Sequence, residues 1–168
     1  MLVADAAFYE IIQNTWTATL GFPVERCDST EFSAIGAITA CVRISGAWHG
    51  EVRLHCPLPL ARRIASAIFE GKEDKVERAE ILDALSELIH IIGGNLKALL
   101  PQPVILSFPS VQGPTNCAQT TPRWKTVCRL TLMSEGHPFV ASILGDVSAA
   151  AGAETTADRQ SHTRVENR

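Results

Sequence analysis

The sequence lacks the features that announce most common functions. No apolar run approaches the ~20 consecutive residues needed to cross a bilayer. The N-terminal MLVADAAFYE has neither the positive start nor the apolar block of a secretion signal, so the chain is expected to stay in the cytoplasm. Its five cysteines (Cys27, Cys41, Cys56, Cys117 and Cys128) are scattered, odd in number and free of any CxxC pair. That pattern argues against a zinc site and against a disulfide framework. A net charge of −3 offers no basic face for nucleic acid or for an anionic membrane surface. There is no glycine-rich phosphate cradle, no Ser/His/Asp set and no nucleotide fingerprint.

What remains is enough for one packed domain. The chain has 168 residues and is 46% hydrophobic, which suits a single domain over residues 1–145 with a polar, Ala- and Thr-rich tail over 146–168, expected to be disordered. Phe8, Ile11, Ile12, Thr15, Trp16 and Leu20 fall at helical spacing, with Gly21 just past the end. Residues 33–45 and 51–56 alternate as an antiparallel pair. Val52, Leu54 and Cys56 point one way, and Glu51, Arg53 and His55 the other. A helix over residues 57–70 and a long helix over 76–100 follow, the second ended by Pro101 and Pro103. Residues 104–108 form a short apolar strand, 110–125 a long polar loop, and 126–133 and 139–144 two further strands. The fold class is therefore α+β, a mainly antiparallel sheet with long helices packed on one face. Cys41, Cys56 and Cys128 sit in apolar strand runs and read as reduced core residues. His49, His55 and His137 read as surface residues, and Trp48 as either a packing anchor or an interface residue.

The long helix carries the functional signal. Ile81, Leu82, Leu85, Leu88, Ile89, Ile92, Leu96 and Leu99 gather on one side as a buried stripe, and Asp83, Glu87, His90, Gly94 and Lys97 gather opposite. Glu87 and His90 stand at i and i+3, where two side chains reach the same spot outside a helix. A glycine inside a helix costs ~0.8–1.0 kcal/mol relative to alanine, so two in succession need a reason. Gly94 leaves room for a partner to approach the polar face, whereas Gly93, at the edge of the stripe, lets the sheet or a neighbouring helix pack tightly. Asn95 projects away from Glu87 and His90 and reads as a structural hydrogen bonder near the sheet.

These residues resemble the signature helix of the CheX group, within the CheC/CheX/FliM superfamily of chemotaxis proteins. That signature is a Glu, an Asn three residues later, then a small-residue pair ending in Gly-Asn. Glu87, Gly94 and Asn95 match it. ISGAWHGEVRLHCP resembles the family's strand–turn–strand hairpin. Ile68-Phe69-Glu70-Gly71 resembles the end of its next helix, and ILSFPSVQG the strand and Ser-x-Pro segment after the signature helix. The resemblance implies a phosphatase acting on the aspartyl phosphate of a CheY-type response regulator. In such a protein the Glu contacts a lysine of the regulator and the Asn orients the attacking water. The chain itself is then expected to bind no cofactor, the regulator supplying Mg²⁺, and to pair as a homodimer. Asp83, Gly94, Asn95 and Lys97 would line the partner-binding surface.

The pattern breaks at the catalytic Asn, which is His90 here. A neutral imidazole offers one donor and one acceptor nitrogen, so it can hold and aim a water or act as a weak general base. The alternative is a module that keeps the docking surface, binds a receiver domain and performs no chemistry. Metal binding by the Glu-x-x-His pair would need a second copy and two further glutamates on facing helices. This sequence offers one copy and a sheet.

Overall fold

The computed structural model describes residues 4–28, 36–113 and 124–145, so the expected tail and Cys117 lie outside the described residues. The first apolar stripe forms α1 (Asp5–Leu20), which Gly21 ends in a left-handed conformation with its N–H bonded to the Thr17 carbonyl. A two-residue strand, β1 (Glu25–Arg26), follows. The alternating segments form β2 (Ala37–Gly46) and β3 (Gly50–Pro57). Next come α2 (Leu58–Phe69), a 3₁₀ turn at Glu73–Lys75, and α3 (Arg78–Lys97). Three-residue strands β4 (Val104–Leu106) and β5 (Ser110–Gln112) precede the hairpin of β6 (Lys125–Ser134) and β7 (His137–Gly145). Strand β5 lies at the start of the segment read as loop.

The sheet order is β1-β6-β7-β3-β2-β4, with β5 also on β2, and every pairing is antiparallel. Strands β4 and β5 thus share one edge, each covering a different stretch of β2. The three helices bury their apolar sides against one sheet face, where Phe8, Ile12, Trp16, Leu60, Ile64, Leu85, Ile89 and Ile92 are fully enclosed. Trp16 stacks on Phe139 of β7, with ring centroids 4.6 Å apart and planes 8° from parallel. Its indole N–H donates to Ser134 Oγ at 3.2 Å, and that hydroxyl donates to the Pro23 carbonyl at 2.9 Å. Trp48 is a packing anchor. It is 3% exposed, and its ring stands where side chains on Gly50 and Gly145 would have to go.

Helix α3 owes its seat to Gly93. A Cβ there would stand 2.6 Å from Val42 Cγ1 of β2, inside van der Waals contact with a branched side chain that has little room to turn. A Cβ on Gly94 would meet nothing. The stripe holds from Ile81 to Leu96 but not to Leu99, which is 50% exposed. Ala98, Leu99 and Leu100 bond back to the carbonyls three residues earlier, and this tighter turn rotates Leu99 out of line. The two glycines should therefore respond oppositely to alanine. Gly94→Ala raises stability by up to ~1 kcal/mol through helix propensity alone. Gly93→Ala lowers it, because overpacking of ~1–3 kcal/mol outweighs the same propensity gain. Urea unfolding of the two variants beside the wild type checks the contrast.

Candidate functional site on helix α3

Helix α3 begins at Glu77, whose backbone N–H donates to the Glu80 carboxylate at 2.8 Å, the return arm of a capping box. From there the helix presents one face outward. Asp83, Glu87, His90 and Gly94 are all exposed, each a turn from the next, and Lys97 closes the row half-buried. Among the described residues neither Glu87 nor His90 has a hydrogen-bond or ion-pair partner. A carboxylate and an imidazole thus stand side by side on a rigid helix beside a bare stretch of backbone at Gly94, with their polar atoms free for a second molecule. Asn95 does not join them. It lies on the opposite flank, where its Nδ2 reaches Thr15 Oγ1 of α1 at 3.5 Å, so its neighbour is a helix rather than the sheet. Among the described residues no cluster of three or more His, Cys, Asp or Glu side chains could hold a metal ion. Nor is any helix there long and apolar enough to cross a membrane.

The other titratable cluster lies on the sheet face away from the helices, and there three sequence expectations need correction. The alternation of β3 puts Glu51 and Arg53 on the side away from the core, where solvent is expected, yet they are only 2% and 9% exposed. The Glu51 carboxylate accepts from Arg53 Nε and, at 3.3 Å, from Arg43 Nε. Flanking strands β2 and β7 crowd these side chains from both sides, and the ion pairs make their burial tolerable. Cys41 is half-buried on this outer face rather than in the core, and burial, with the Glu51 charge beside it, pushes its thiol up to about 11. Cys56 and Cys128 are in the core as expected. His55 is half-buried rather than fully exposed. Its Nδ1 pairs with Thr39 Oγ1 at 2.9 Å, and burial, reinforced by the Arg53 and Arg129 charges, lowers it to about 4.

His55 is therefore a structural group, with a consequence for stability. Between about pH 4 and the ordinary histidine value of 6.5, the unfolded chain holds a proton on this ring and the folded chain does not. More protons bound to the unfolded state mean that stability falls as pH drops through this window. Urea unfolding at pH 7 and pH 5 should show that loss, and His55→Gln should flatten the slope.

Solved structures share this architecture. CheX from Vibrio vulnificus superposes with a TM-score of 0.68 at 13% identity, over 82% of this chain and 93% of that one. The CheX–CheY–BeF₃–Mg²⁺ complex from Borrelia burgdorferi matches with a TM-score of 0.65 at 13% identity, over 86% of this chain and 98% of that chain. FliY from Thermotoga maritima matches at 0.56 and 16% identity, over 90% and 96%. At such identities the likeness establishes the fold, that of the CheC/CheX/FliM type. Comparison with curated protein sequences finds no match. The family itself follows from the sequence: the model described as chemotaxis phosphatase CheX matches residues 38–131, more than half of the chain and all of α3. The chain belongs to the CheX family.

Proposed function

We propose that this protein shortens the lifetime of the aspartyl phosphate on a CheY-like response regulator, using the outer face of α3. The observation that carries the reading is the exposed Glu87–His90 pair, without a partner among the described residues, beside Gly94 on the signature helix of a CheX fold. A CheX–CheY complex exists for the Borrelia burgdorferi relative, which supports a regulator of that kind as the partner. Glu87 takes the docking role, reaching a lysine beside the phosphorylated aspartate. Gly94 lets the regulator's backbone come close. His90 fills the position of the family Asn. Its acceptor nitrogen receives a hydrogen bond from a water and turns a lone pair of that water toward phosphorus, in line with the bond to be broken.

The reaction needs no covalent intermediate on this chain. The water oxygen bonds to phosphorus, the P–O bond to the aspartyl carboxyl breaks, and its electron pair leaves with the regulator's carboxylate. The water's proton passes to the imidazole or directly to a phosphate oxygen. Positioning supplies most of the acceleration, as in phosphoryl transfer generally. Magnesium belongs to the regulator, and a homodimer is part of the same proposal. The substitution of an imidazole for an amide supports one other reading, a receiver-binding module that holds the regulator without hydrolysing its phosphate.

The test is the decay of a phosphorylated CheY-like regulator with and without the protein. Wild type should shorten the lifetime, and His90→Ala should abolish the effect while still binding. Glu87→Ala should weaken binding. Unchanged decay with wild type bound would leave the receiver-binding module as the function. Gly94→Ala provides a separate check, keeping the fold while weakening the regulator complex.

A further inference from the structure

The sheet edge beside α3 carries an aromatic side chain for which the fold has no use. Phe108 is 95% exposed, although its place in an apolar run suggested a strand. A bulge puts it there. Leu106 lies opposite Ile44, and the next residue, Ser107, stays paired with Arg43: its N–H donates to the Arg43 carbonyl at 2.9 Å and its Oγ accepts from the Arg43 N–H at 3.0 Å. Pairing resumes with Ser110 opposite Cys41. Phe108 and Pro109 therefore share a single opposite residue, Val42. Such a bulge re-aims a side chain out of the ladder.

The bulge stands beside the polar face of α3. Leu106 Cδ1 is 3.7 Å from the Cβ position of Gly93, and an Arg78 guanidinium nitrogen is 3.2 Å from that of Gly113. The β4–β5 edge thus runs antiparallel to α3 and reaches from its C-terminal part to its first turn. Phe108 falls between these contacts, level with the middle turns that project Glu87 and His90. Asn95, bonded to Thr15, marks the α1 flank of the helix. His90 lies on the other flank, toward the bulge.

We propose that Phe108 is the apolar anchor by which this surface grips the receiver domain of the regulator, an inference that rests on the function proposed above. Exposed charges such as Glu87 and Asp83 are screened and contribute little to affinity, whereas buried aromatics dominate interface energetics. The occupant is the receiver and not a second copy of this chain. A two-fold pairing centred on this surface would bring Glu87 of one copy toward Glu87 of the other. A receiver site with a lysine complements it.

The probe is a CheY-like receiver activated with beryllofluoride and Mg²⁺, titrated against the full chain. Phe108→Ala should raise Kd at least ~tenfold, as loss of an aromatic hot spot does. It should leave the melting temperature, the sedimentation coefficient and the dephosphorylation rate at saturating regulator unchanged, and Phe108→Leu should recover part of the affinity. His90→Ala has the opposite signature, a lost rate with Kd kept. If wild type binds in a Phe108-dependent way but hydrolyses nothing, the anchor stands and the phosphatase reading fails. An unchanged Kd for Phe108→Ala, a dimer that dissociates on that substitution with Kd unaltered, or no receiver binding by wild type would each overturn the anchor.

Discussion

One missing carbon atom sets the geometry on which the rest depends. Because Gly93 has no Cβ, the backbone of α3 comes down onto Val42, close enough that any other residue would hold it off. That contact fixes the helix in height and also in rotation. With Gly93 pinned against the sheet, the helical repeat leaves no choice about which residues look outward, and Glu87 and His90 are among them. Glycine at this site therefore has two effects of opposite sign. It weakens the helix as an isolated element and makes its placement on the sheet definite. Interiors pack too densely for the helix to roll or slide without clashes elsewhere.

The two faces of the sheet solve different problems. Toward the helices, close packing of apolar side chains excludes water. On the other face, Glu51 is closed off by its neighbours and paired with two guanidiniums, while a half-buried imidazole bonds to a threonine. Removing both arginine partners would strand a buried charge, which costs far more than a surface ion pair contributes. The outer face is thus rigid without being apolar. The strands beneath α3 can hold their register although helices cover only one side of them.

Much of this was legible in the amino-acid sequence, for identifiable reasons. The stripe on α3, the polar row opposite and the different duties of Gly93 and Gly94 follow from a repeat that the helix obeys almost to its end. Fold class and family were legible because the glycine-flanked hairpin, the signature helix and the Ser-Phe-Pro segment occur in order. The failures cluster where local pattern gives no signal about neighbours. Nothing in the alternation of Glu51 and Arg53 says that flanking strands will crowd them into burial. His55 looked exposed for the same reason. Leu99 was misplaced because the last turn tightens, and Phe108 because a single extra residue against β2 breaks the alternation. In both cases a one-residue change in pairing redirects a side chain, and neither propensity nor hydrophobic pattern records it.

The stack of Trp16 on Phe139 joins the first helix to the last strand, and this bears on the order in which the chain can assemble. Trp16 and the hydroxyl it bonds are 118 residues apart in sequence. At ~5–20 residues per second, a ribosome needs several seconds to tens of seconds to cover that interval. Throughout, α1 exists without the ring and the hydroxyl that receive its indole. Helices α2 and α3, already synthesised, can pair with each other and with the β2–β3 hairpin. The closing contact must bear the loop-closure entropy of nearly the whole domain. The nascent domain is thus a partly built sheet whose first helix can meet α3 but not its Trp16 partners, and synthesis of the last hairpin completes the core.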